Sequence, residues 1–141
     1  MNKKVLAILS IIVISLLTIS AAPAKTYANS GYMERFNKLK KKCNKKFKYN
    51  GPQQEMNHES LEEFKLWDKE LNYVYNDIYG KLNQEDQKEL KKSELAWIKK
   101  RDKKAAEKSS EFEGGTMYPL VYNDILIKLT KKRIKWLIKN Y

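Results

Sequence analysis

Phe36, Leu39, Cys43 and Phe47 recur at steps of three and four along the chain, the spacing of one helix face. Most positions between and around them are lysine, at 38, 40, 41, 42, 45, 46 and 48. Asn50-Gly51-Pro52 ends this segment with strong helix breakers. A longer stripe follows, built from Leu61, Phe64, Trp67, Leu71, Val74, Ile78 and Leu82, and it predicts an amphipathic helix. Asn83 is positioned to cap the next helix, with Glu85 and Asp86 near its positive end. That helix, over residues 84–110, offers Leu90, Ser93 or Glu94, Trp97, Arg101 and Ala105 as its buried stripe, with Ile98 beside it. Gly114-Gly115 breaks the chain again, and a last helix over 118–139 turns Tyr122, Ile125, Leu126, Leu129, Arg133, Trp136 and Leu137 inward. Nothing alternates with period two for long enough to form a strand. The expectation is an all-α fold: a small helical bundle built on a long antiparallel helical hairpin (57–110), plus a C-terminal helix and a basic N-terminal helix. Its expected core is Phe64, Trp67, Leu71, Trp97, Leu129 and Leu137.

The first residues follow a different rule. Lys3 and Lys4 precede an apolar run from Val5 to Leu17, and Ala22-Pro23-Ala24 closes a small-residue tail. This is the pattern of a signal peptide cleaved before Lys25, with Ala28 as a second cleavage position. The run is shorter than the roughly 20 residues that span a bilayer, and no later stretch approaches that length. The expected division is a signal peptide at 1–24, a basic N-terminal helix and linker at 25–52, and a helical domain at 53–141. The expected location is periplasmic or extracellular.

Composition narrows the chemistry. The 141 residues carry 29 Lys+Arg against 17 Asp+Glu, with one Cys and one His. One cysteine allows no disulfide within the chain. One histidine leaves no His pair for zinc and makes any Ser-His or Cys-His catalysis depend on a single residue. No nucleophile–base pair, metal cluster or phosphate loop is visible, so neither an enzyme nor a cofactor is expected. His58 falls at a polar helix start, and Cys43 on an apolar stripe reads as a small buried hydrophobe.

Four charged residues interrupt or border the apolar stripes: Asp68 next to Trp67, Arg101 beside Asp102, and Arg133 on the last helix. Near one core they suit a charge-assisted network that fixes helix docking; the alternative is a recognition or catalytic cluster. Lys40, Lys41, Lys42, Lys45 and Lys46 form a candidate anion-binding face for phosphate-rich polymers, the alternative being a solvated face. No groove-reading motif supports specific nucleic-acid recognition.

From Glu55 to Leu137 the sequence resembles the lysozyme inhibitor LprI-like N-terminal domain family, small exported bacterial domains. The resemblance rests on Glu55-Met56-Asn57, Trp67-Asp68-Lys69-Glu70-Leu71-Asn72 with Tyr75, Ala96-Trp97-Ile98 followed by Arg101-Asp102, Gly114-Gly115-Thr116, and Leu129-Thr130 with Arg133 and Leu137. It implies family cysteines at Cys43 and near His58, Ala105 and Ile125, and the last three positions carry no thiol here. It also implies an exported binding protein that inhibits lysozyme by occluding it, with a lysozyme or another envelope or host protein as partner. The competing function is a cationic envelope protein that binds anionic polymers or lipid headgroups. Many animal lysozymes are basic, so a basic inhibitor would be slowed in its approach, although a glycosidase cleft presents two carboxylates to a local basic element.

Overall fold

Four helices make up most of residues 29–141, the part of the chain described by the computed structural model: α1 (Asn29–Lys46), α2 (Gln53–Lys81), α3 (Gln84–Ser109) and α4 (Tyr118–Asn140). A 3-10 turn at Ser110–Phe112 follows α3, and there is no strand among the described residues. Residues 1–24, expected from the sequence to be a signal peptide, lie outside the described residues.

Local chemistry sets the helix boundaries. Pro52 precedes α2 and needs no hydrogen-bonded amide there. The Asn83 side chain accepts from the amides of Glu85 (3.1 Å) and Asp86 (2.9 Å), capping α3. Gln87 donates back to the Tyr79 and Leu82 carbonyls, which fastens the tight α2–α3 turn. Gly114 adopts φ 76° in the loop before α4, a left-handed conformation that glycine enters without strain.

Residue pairs fix the helix directions. Ser60 meets Asn123 and Glu63 meets Lys131, so α2 and α4 run parallel. Arg133 meets Glu94 while Tyr122 lies near Asp102, so α3 runs antiparallel to α4. Tyr32 bonds Asp77, Arg35 bonds Glu70 and Tyr49 bonds Glu63, so α1 runs antiparallel to α2. The tightest packing is between α2 and α4, followed by α3 on α4. Ser60 and Asn123, hydrogen-bonded at 3.0 Å and buried, are small enough to let those two helices approach. The C-terminal helix is therefore the hub, and the α2–α3 hairpin folds over it. Trp67, Val74, Ile78, Leu90, Ile134 and Leu137 are fully buried, and the Phe36 ring packs against Trp67 with centroids 5.0 Å apart.

This hub explains where side chains depart from the sequence expectation. Leu61 and Trp136, expected inside, are each 40% exposed. Phe64 and Trp97 are half-buried and edge the core, Leu129 is half-buried and belongs to neither the core nor its edge, and Trp67, Leu71 and Leu137 lie within it. Because α4 packs on three helices, its buried set widens to Asn123, Leu126, Ile127, Thr130, Arg133, Ile134, Leu137 and Ile138. On α2, Ser60, Glu63 and Glu70 take inward positions. No helix among the described residues is long and apolar enough to cross a membrane.

Candidate functional site

The two-residue turn at Leu82-Asn83 sends α3 back along α2, yet the two helices make few close approaches because both lean on α4. The gap is a groove of about 320 Å³. Leu71, Tyr75, Leu95 and Ile98 supply apolar walls, and Asp68, Glu94, Lys91 and Arg101 supply charge. Leu95 stands 54% exposed at its edge. Tyr75 stacks on Tyr79 with centroids 5.7 Å apart, which stiffens one wall.

Two of the sequence-predicted polar residues meet at this groove. Arg101 Nη1 donates to Asp68 Oδ1 at 3.1 Å, and Nε donates to Asp102 Oδ1 at 2.8 Å. The Arg101 side chain is only 10% exposed and lies 5.1 Å from the Trp97 ring and 5.4 Å from the Phe64 ring. Arg133 does not join them. Its Nε donates to Glu94 Oε2 and its Nη2 to Ser93 Oγ, both at 2.9 Å. Glu94 and Arg101 are seven residues apart on α3, about 10.5 Å along the axis, too far for one guanidinium to serve both ends. The four expected network residues thus form two ion clusters. Trp97 stands between them, with the Arg133 guanidinium 5.6 Å from its ring.

A third cluster escaped the sequence reading. The buried Glu63 carboxylate accepts from Tyr49 Oη (2.6 Å), Trp67 Nε1 (2.9 Å) and Lys131 Nζ (3.0 Å). Burial pushes its carboxyl up, but these three donors outweigh burial and hold it below its ordinary value. Burial and the Glu63 bond together push the Tyr49 phenol well up. Tyr49 itself sits at φ 52°, with its amide bonded to Glu59 Oε2 at 2.8 Å, so the α1–α2 loop is pinned from both sides. The available sequence signal was Glu63 four residues before Trp67, spacing that brings carboxylate and indole together on one helix face. At the same end of the bundle, Asn57 Nδ2 donates to the Thr116 carbonyl at 2.8 Å, joining Glu55-Met56-Asn57 to Gly114-Gly115-Thr116.

Charge is unevenly shared. α1 carries seven cations against Glu34, and α4 carries six against Asp124. α2 carries three cations against seven carboxylates, and α3 nine against six. Lys40, Lys41, Lys42, Lys45 and Lys46 are all exposed on α1, away from the α2–α3 groove. His58 is exposed near the start of α2, and Cys43 is buried in the α1 face.

The groove's chemistry suits binding: apolar contact area edged by Asp68, Glu94 and Arg101, which are already paired, and by Lys91, beside the most acidic helix of the bundle. A family profile described as lysozyme inhibitor LprI matches residues 43–137, taking in the end of α1, all of α2 and α3, and α4 as far as Leu137. No curated protein and no solved structure matches the chain.

Proposed function

The chain belongs to the lysozyme inhibitor LprI family, and we propose that it is an exported bacterial binding protein that inhibits lysozyme by occlusion through its α2–α3 face. The observation that carries this reading is the family match, which extends over the helices that build the groove. Export is part of the proposal and draws on the signal-peptide pattern of residues 1–24.

The charge distribution supports the choice of face. A basic lysozyme approaching α1 or α4 meets mostly lysine, whereas α2 and α3 together are nearly balanced, with twelve cations against thirteen carboxylates. Repulsion is weakest at that face, and repulsion elsewhere selects the orientation. Leu95 on α3 is an exposed apolar side chain at the groove, the kind of residue that anchors an interface once water is excluded around it.

The test is a bacterial-cell lysis assay with a chicken-type lysozyme and the protein purified in its exported form. Inhibition should saturate with added protein. Leu95→Lys, which places an ammonium in the groove mouth, should weaken inhibition about tenfold or more while leaving the helical circular-dichroism spectrum intact. Folded protein that inhibits no animal lysozyme class at any concentration would refute the reading.

A further inference from the structure

The groove leaves the strongest electrostatic feature of the molecule unused. From Arg35 to Lys48, and again from Ile125 to Tyr141, no Asp or Glu occurs. These two stretches pack against each other, because α1 lies along α4. Lys42 and Lys46 of α1 and Lys131 of α4 all lie within electrostatic reach of the Cys43 sulfur. The seam therefore joins two lysine-rich helix faces into one surface. We propose that the α1–α4 seam binds a linear phosphodiester polymer, a second binding function that does not rest on lysozyme inhibition.

Three observations carry this. First, the seam's cations are largely uncompensated: among the described residues, only Arg35, Lys128, Lys131 and Arg133 of α1 and α4 meet a carboxylate. Both arginines are among those four, so the remaining cations are lysines. Lysine acts on phosphate as a point charge without the planar fork that favours one carboxylate geometry. Such a surface reads charge density along a polymer and not a sequence.

Second, several seam lysines are seated, Lys131 among them in addition to its pair with Glu63. Lys46 Nζ lies 4.9 Å from the Phe47 ring, Lys131 Nζ 4.6 Å from Trp67, and Lys135 Nζ 5.1 Å from Phe36. Stems packed on aromatic rings have less side-chain freedom to lose on binding. Lys128, Lys132, Lys135 and Lys139 recur about once per turn of α4, so their charges track a line of about 16 Å.

Third, the seam does not suit a lipid surface. An interfacial helix must bury an apolar face in the headgroup region, and the apolar face of α1 (Tyr32, Phe36, Cys43, Phe47) is already in the core. The exposed large apolar side chains lie on α2, on α3 and before α4, apart from Trp136, whose ring lies against the Arg133 guanidinium at 4.2 Å.

The test measures binding of the exported protein to three probes: glycerol-phosphate teichoic acid, single-stranded oligothymidylate and phosphatidylglycerol vesicles. Both polymers should bind at low salt. If about six phosphates are neutralised, affinity should fall roughly a thousandfold between 50 and 200 mM salt. Tighter binding of teichoic acid identifies a wall polymer as the source of the phosphodiester, and equal binding identifies backbone charge alone. The combined variant Lys42→Gln, Lys46→Gln, Lys135→Gln and Lys139→Gln should lose most of this affinity and show a shallower salt slope. The same four positions changed to Arg should retain it. Lysozyme inhibition by the Gln variant should be unchanged, which separates this proposal from the groove. Lys100→Gln, Lys103→Gln and Lys104→Gln on α3 should leave polymer binding intact. Absence of polymer binding at low salt, binding to vesicles alone, or equal losses from the α3 variant would each overturn the proposal.

Discussion

Arg101 on α3 and Asp68 on α2, 33 residues apart in sequence, are joined by a 3.1 Å hydrogen bond over the mouth of the α2–α3 groove. Because α2 and α3 hold each other mainly through side chains, this pair and the tight turn at Leu82-Asn83 set the width of the groove.

Truncating the pair should therefore show coupling. Asp68→Ala leaves Arg101 its bond to Asp102 and should cost about 1 kcal/mol. Arg101→Ala also strips cover from Trp97 and Phe64 and should cost about 2–3 kcal/mol. The double variant should cost less than the sum by about 0.5–1 kcal/mol. Urea unfolding of the four proteins measures this, and additive losses would show that the contact contributes nothing.

Acid should loosen the α1–α2 loop through Glu63. Its carboxyl is held below the ordinary 4.5 in the folded protein, so the unfolded chain takes up the proton first as pH falls. The contribution is fully present above about 4.5 and is lost as pH drops through the folded value. Urea midpoints taken from neutral pH down to about 3 should decline, and Glu63→Gln should flatten that decline while lowering stability at neutral pH.

Thr130 Oγ1 is buried with no hydrogen-bond partner among the described residues. A buried hydroxyl left unpaired costs roughly 1–3 kcal/mol relative to its hydrated state. Thr130→Val keeps the shape and removes that cost, so the thermal midpoint should rise. A fall would mean that a bound water satisfies the hydroxyl.

Cys43 is 1% exposed. Burial, aided by the Glu63 charge, pushes its thiol up to about 11. A thiol reagent at neutral pH should modify the unfolded chain readily and the native protein only at the rate of opening. Since the chain has one cysteine, reductant should leave the melting temperature of the monomer unchanged.

What the sequence disclosed depended on how many sides each helix buries. α1 presents one apolar face, and Phe36, Cys43 and Phe47 occupy it as the spacing predicts. Trp67, Leu71, Val74 and Ile78 do the same on α2. For α4 a single stripe is the wrong template. Ile127, Ile134 and Ile138 are buried against several neighbours, while Trp136 points outward. The charged residues near the stripes were visible as anomalies, but their pairing was not. Arg133 faces Glu94, and only the placement of α3 on α4 determines that. The groove had no sequence signature at all, because it arises from the splay between two helices and not from either alone.

The hub position of α4 also bears on vectorial synthesis. Ser60 and Asn123 meet across 63 residues, and Glu63 and Lys131 across 68, separations that are long for a helical protein and that slow the search for native contacts. The helix on which the others converge leaves the ribosome after all three of them. Until it emerges, Trp67, Val74 and Ile78 have no α4 to cover them, and the nascent chain holds at most a frayed hairpin. Folding must then wait for α4, and a chain truncated before residue 118 would lack the element that organises its core.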